Sequence, residues 1–227
     1  MQNKSSKSLY NYWNEIRGSR SAPERRNIDP TKIRTALSDT FILEAVEDEE
    51  FSFRLVGSHI YSIYCRELKK RNFNDLWNEK DHDAIKTLVR AVTEDHAVAV
   101  ASFQGINEAG AIANFEVILL PLHHNGSTNN RLLGAMSVVD EPYWLGTQPV
   151  VNQRITGLRL IWPDDLSLQK QTSDIFTKVE TDIIWDKQLN EIKEKNIIQI
   201  PLPATVHGNK ARRYSHLAVI DGGKTNI

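Results

Sequence analysis

The sequence holds 227 residues, enough for one domain with a full core plus extensions, and its formal net charge of −1 excludes a general attraction to nucleic acid or acidic lipid. A lone cysteine, Cys65, excludes internal disulfides and all-cysteine metal sites. The longest apolar runs fall far short of the ~20 residues that span a bilayer, and the polar N-terminus carries no signal-type apolar segment, so a cytoplasmic protein with no membrane insertion is expected.

Residues 1–28 are locally basic, with Lys4, Lys7, Arg17, Arg20, Arg25 and Arg26 against Glu15 and Glu24. No aromatic or glycine pattern for base stacking accompanies them, so this reads as a solvated segment with no nucleic-acid partner. Ser5 or Ser6 is placed to cap a first helix in which Leu9, Tyr12, Trp13 and Ile16 share a face, and Gly18 to end it. That aromatic face needs cover, from the core or from a second copy of the chain. Asp29-Pro30 offers an N-cap and a first-turn proline for a short helix through Ile33 and Leu37.

Thr40–Glu47 and Phe51–Gly57 read as a β-hairpin around a three-residue loop, Asp48-Glu49-Glu50. This register sets Glu44 opposite Arg54 and Leu43 opposite Leu55. Phe41, Leu43, Ala45, Phe53 and Leu55 then form the core face, while Ile42, Val46 and Val56 share the other face with the charged pair. The first helix is the expected cover for that second face. Ser58–Leu68 and Arg71–Trp77 have the irregular apolar spacing of single turns. From Asp81 to Glu94, Ile85, Leu88, Val89 and Val92 repeat at helical spacing, with Asp81 as N-cap.

Three strands follow, Ala97–Gln104, Ile112–Leu122 and Arg131–Asp140, separated by polar loops at 105–111 and 123–130. In the middle one Ala113, Phe115, Val117 and Leu119 alternate with Asn114 and Glu116, marking its core face. Pro142, Gly146 and Pro149 then break the chain. Gly157–Trp162 fits one more strand, and Pro163-Asp164-Asp165 marks a boundary. Beyond it lies a polar extension with a helical pattern at Asp174–Lys195 and a strand-like Tyr214–Ile220; a disordered tail and a docked one fit that composition equally.

The order strand, strand, short helices, long helix, three strands resembles a PAS domain. The wording is closer to the small, mostly single-domain bacterial PAS proteins of the PAS_5 group. It is carried by Leu9-Tyr10-Asn11-Tyr12-Trp13, Arg17-Gly18, Ala22-Pro23 leading to Ile28-Asp29-Pro30, and Phe51-Ser52-Phe53-Arg54-Leu55-Val56-Gly57-Ser58. Arg66-Glu67-Leu68, Phe73-Asn74-Asp75-Leu76-Trp77, Leu120-Pro121-Leu122 and Leu132-Leu133-Gly134-Ala135 continue it. The resemblance implies an α+β fold: a five-stranded antiparallel sheet in the order 2-1-5-4-3, with helices over one face enclosing a small cavity. The chain then divides into an N-terminal helical segment (1–38), the PAS core (39–145), a connecting segment (146–163) and the C-terminal extension (164–227). Proteins of this group resemble sensory or regulatory modules without an attached kinase or cyclase.

The residues offer no catalytic motif: no phosphate-binding glycine loop, nucleophile elbow, His-Glu-x-x-His or paired carboxylates in an apolar setting. Cys65-Arg66-x-Leu68 resembles part of the Asn-Cys-Arg-Phe-Leu motif of photoactive PAS domains, but aligning on Arg71-Asn72 puts Phe73 where the reactive thiol would stand. Cys65 is expected to be a small buried hydrophobe. His82 and His96 are flanked by aspartates, as at solvated helix ends, and His123-His124 lacks a third ligand at metal-site spacing. Hence no metal and no cofactor, neither haem nor flavin, is expected. Phe53, Tyr61, Tyr64, Phe73, Trp77, Phe103 and Phe115 are the candidate cavity lining. Leu9, Tyr12, Trp13 and Ile16, with Ile42, Val46 and Val56, are the candidate interface. The expected function is that of a non-catalytic PAS protein acting through homodimerisation and a signalling partner; the alternative is a sensor holding a small molecule in its cavity.

Overall fold

In the computed structural model, residues 1, 3–47, 50–124 and 128–163 are described. The extension assigned to 164–227, with the helix and strand expected in it, lies outside them. Among the described residues no helix is long and apolar enough to cross a membrane.

Helix α1 spans Lys4–Arg17 and ends at Gly18, whose φ of 58° lies in the region glycine adopts without strain. Its cap is Asn3, not Ser5 or Ser6: the Asn3 Oδ1 accepts the Ser5 N–H at 2.8 Å. Single 3₁₀ turns follow at Arg25–Asn27, Pro30–Ile33 and Leu37–Asp39. Then come β1 (Thr40–Glu47), β2 (Glu50–Val56), α2 (Ser58–Tyr64), turns at Asn74–Leu76 and Glu79–Asp81, and α3 (His82–Thr93). The remaining strands are β3 (Val98–Asn107), β4 (Ile112–His124), β5 (Thr128–Val138) and β6 (Val150–Ile161). The strand pair β4–β5 therefore runs through much of the stretch that its polar composition assigns to a loop.

All neighbours in the sheet are antiparallel, in the order β2-β1-β5-β4-β3-β6. The order 2-1-5-4-3 implied by the resemblance is present, and a sixth strand extends it. The segment Gly157–Trp162 is only the second half of that strand. Its first half is stitched in by backbone groups: Asn78 N–H donates to the Gln153 carbonyl at 2.9 Å, and Ile155 N–H to the Asp81 carboxylate at 2.9 Å. Asp81, expected to cap α3, makes no side-chain cap there and serves β6 instead.

The hairpin register differs from the expected one. Glu50 belongs to β2 and pairs with Glu47, Leu43 pairs with Phe53, and Ile42 with Leu55, leaving Arg54 as the extra residue of a bulge. A one-residue slip exchanges faces. Leu55 therefore turns outward and is 49% exposed, while Ala45 and Phe51 pair near the hairpin's tip, where Ala45 is exposed and Phe51 buried. Val56 turns inward against the core. The Glu44 carboxylate still meets Arg54, at 2.8 Å, and also Arg131 of β5.

Both faces of the sheet are covered. On the inner face α2, α3 and the turns between them bury Phe41, Leu43, Leu119, Leu132 and Met136. The Phe41 ring lies on Gly134 of β5, where an added Cβ would stand 2.2 Å from its Cζ, so only glycine fits. On the outer face α1 lays Leu9 and Trp13 on Ile118, Leu120 and Leu133, all wholly buried.

Candidate functional site

Inside the fold the aromatic side chains form one connected row. Phe41, Phe53 and Phe73 contact one another at centroid distances of 5.5–5.9 Å. Phe73 meets Trp77 edge-on at 5.8 Å, Trp77 meets Phe103 at 5.0 Å, and Phe103 stacks on Phe115 at 5.0 Å. These are the offset and edge-to-face arrangements that ring quadrupoles favour. Five of the seven expected lining residues thus stand in this row, joined by Phe41. Phe73 is a core ring 1% exposed.

The other two part company. Tyr61 lies at the surface, its hydroxyl donating to Glu67 at 3.0 Å. Tyr64 is buried; its hydroxyl accepts from the Gln153 side-chain amide and donates to the Met136 Sδ at 3.3 Å. Burial pushes this phenol well above its ordinary pKa, opposed by the Gln153 hydrogen bond and by Arg66, so it is neutral at any physiological pH. Gln153 is wholly buried, and its Oε1 has no hydrogen-bond partner; nor does the Trp77 Nε1–H. An unmatched buried polar atom of this kind costs ~1–3 kcal/mol. Periodicity gave no sign of Gln153, which sits in a polar stretch, Asn152-Gln153-Arg154.

Cys65 is exposed, not buried as expected. It ends α2 in the left-handed conformation (φ 48°), which turns its side chain outward, with Sγ 3.3 Å from the Ser62 carbonyl. His82 bonds the Trp77 carbonyl at 3.0 Å, and His96 the Glu94 carbonyl at 3.0 Å. His123 Nε2 lies 3.2 Å from the Ser21 Oγ, while its backbone N–H donates to the Pro23 carbonyl at 2.9 Å, pinning the end of β4 to the segment after α1. Among the described residues no group of His, Cys, Asp and Glu is arranged to hold a metal ion.

On the outer face, α1 is held by polar contacts as well as by Leu9 and Trp13. The Trp13 indole N–H donates to the Pro121 carbonyl at 2.8 Å, and the Arg17 guanidinium lies 5.4 Å over the indole. The Ser5 hydroxyl donates to Asp39 at 2.5 Å. Asn3 N–H donates at 3.2 Å to Glu116, a β4 carboxylate only 3% exposed that also faces the Met1 ammonium at 3.9 Å. Tyr12 fixes the next segment: Asp29 N–H donates to its oxygen at 2.7 Å, and its O–H to the Asn27 carbonyl at 3.2 Å. Of the expected interface residues, Leu9, Trp13 and Ile42 are buried within the chain itself, while Tyr12 and Ile16 are half-buried against the same cluster. Val46 is 62% exposed and Val56 faces the inner core, so neither meets α1 there.

Comparison with solved structures finds the PAS domain of a protein from Colwellia psychrerythraea at 15% identity and a TM-score of 0.37, over 49% of this chain and 98% of that one. A light-oxygen-voltage domain studied with a flavin analogue is similar at 14% identity and a TM-score of 0.40, over 50% and 85%. The light state of the blue-light photoreceptor Aureochrome1 LOV is similar at 15% and 0.37, over 49% and 88%. No curated protein matches the sequence. The family model for the PAS domain named PAS_5 matches residues 1–137, more than half of the sequence, running from α1 into β5. With the sheet order, α2 and α3 over one face and this match in agreement, the chain belongs to the PAS_5 family of PAS domains.

Proposed function

We propose that this PAS protein is a non-catalytic regulatory module of the cytoplasm that works by association, as a homodimer that also binds a signalling partner. PAS domains are sensory modules, so the question is which part transmits. The observation that carries the reading is the docking of α1 across the outer face of the sheet. The helix is joined to the sheet by a short apolar seam, Leu9 and Trp13, and by the polar ties at Asn3 and Ser5. Its half-buried Tyr12 and Ile16 border that seam. Such a helix has an alternative partner in the same helix of a second copy, and a contact that favours one arrangement shifts the population toward it. The row of rings from Phe41 to Phe115 supports the same reading, because neighbouring aromatic side chains occupy the interior with each other.

One observation favours the alternative, a small molecule held inside: the partnerless Gln153 Oε1 and Trp77 Nε1–H. A planar ligand carrying both a donor and an acceptor would satisfy them. Native mass spectrometry of the purified full chain separates the readings. A dimer mass without adduct is the expected result; a monomer, or a mass shifted by a co-purified metabolite, overturns the preference.

A further inference from the structure

A concavity lies where the turns after α1 meet the hairpin, and Phe41 and Val56 are among its lining residues. Its floor is Ile42 of β1 and Leu133 of β5, and its wall is the chain of turns carrying Ile28, Ile33 and Leu37. Leu55, turned outward by the bulge at Arg54, forms the facing rim. At Gly57 an added Cβ would stand 2.2 Å from the Ser38 carbonyl oxygen, so turn and hairpin meet there without a gap. The groove is open to solvent and offers about 550 Å³, the size of a small-molecule site. Its two rim leucines are left unusually bare, Leu37 at 43% and Leu55 at 49% exposure.

The charge around this apolar groove has one sign. Arg25 and Arg34 both line it, and no Asp or Glu does. Among the described residues neither guanidinium has an ion-pair or hydrogen-bond partner. The Glu44 carboxylate of β1 is already shared by Arg54 and Arg131. An apolar trough with two unpaired arginines in its lining is complementary to a molecule with an aliphatic body and one anionic end, since the planar fork of arginine matches a carboxylate in two-point fashion.

We propose that this groove binds a small aliphatic carboxylate, its chain lying over Ile42 and Leu133 between Leu37 and Leu55 and its carboxylate meeting Arg34 and Arg25. The volume of about 550 Å³ is that of a small-molecule site, which favours a small molecule over an extended peptide. Because Tyr12 ties the groove's wall at Asn27 and Asp29 to α1, an occupant would bear on the helix as well. Neither Gln153 nor Trp77 lines this site, and its test does not depend on the oligomeric state.

The test is titration of the full chain with sodium octanoate and, separately, 1-octanol, followed by methyl NMR. Octanoate is expected to shift the Leu37, Leu55 and Ile33 methyls and to bind at least tenfold more tightly than the alcohol. Replacing both guanidiniums, Arg25→Gln with Arg34→Gln, should remove that preference and leave the alcohol's affinity unchanged. Leu55→Trp, at an exposed position that tolerates bulk, should weaken both ligands. Absence of shifts at millimolar octanoate, shifts confined to inner-core methyls such as Leu132, or unchanged octanoate affinity in the double variant would each overturn the proposal. So would dissociation of a dimer by Leu55→Asp without octanoate binding, which would assign the groove to a second copy.

Discussion

Trp13→Ala is the sharpest perturbation of the helix–sheet contact. The indole is wholly buried, donates its N–H to the Pro121 carbonyl and carries the Arg17 guanidinium over its face. Truncating a buried tryptophan to alanine costs ~3–5 kcal/mol, with loss of the hydrogen bond and of the cation–π contact included in that range. Helix α1 has 14 residues, a length at which an isolated helix is marginal in water, so nothing local replaces the lost packing. With a urea dependence of about 2 kcal/mol per molar, the unfolding midpoint should fall by roughly 2 M. Trp13→Phe retains the ring and loses the donor, and should fall by less than half as much. Equilibrium urea titration followed by circular dichroism measures both. A loss below about 1 kcal/mol for Trp13→Ala would mean that α1 does not rest on the sheet in solution, and the reasoning built on its docking would fail.

Gly134→Ala should destabilise the fold by ~1–3 kcal/mol or more, because its Cβ would enter the Phe41 ring; the urea midpoint reads this, and an unchanged midpoint would show a looser core than described. Tyr64→Phe leaves the Gln153 amide without its acceptor and should cost ~1–3 kcal/mol, whereas Tyr64→Phe combined with Gln153→Leu should recover most of that loss in a double-mutant cycle. The His123 pKa is held below its ordinary 6.5 by burial and then by His96, against Glu24, so the unfolded chain binds the proton more readily than the folded one. Stability should therefore rise with pH through that window and fall on acidification below 6.5; His123→Gln should flatten this part of a midpoint-against-pH curve.

Periodicity made part of this fold legible. The spacing of Ile85, Leu88, Val89 and Val92 marks α3, and the alternation from Ala113 to Leu119 marks the inner face of β4, because helix and strand repeats act within one segment. What depends on two segments at once stayed hidden. The bulge at Arg54 leaves the hairpin's composition unchanged yet moves Leu55 from core to groove. The first half of β6 looks polar because one of its buried members, Gln153, answers to Tyr64 on a distant helix. Cys65 is exposed because it caps α2, a matter of backbone conformation and not of side-chain polarity. The inner rings were legible as a set, since aromatic residues must go inside; which ring touches which, and that Phe41 joins them, follows only from the sheet register.

The claim that α1 is the working interface is tested most directly by sedimentation velocity of the native chain and of Ile16→Asp, at a helix position half-buried beside the Trp13 seam. The account predicts that the native chain sediments as a dimer at micromolar concentration and that Ile16→Asp sediments as a monomer with unchanged circular dichroism. A dimer that survives Ile16→Asp intact would contradict it.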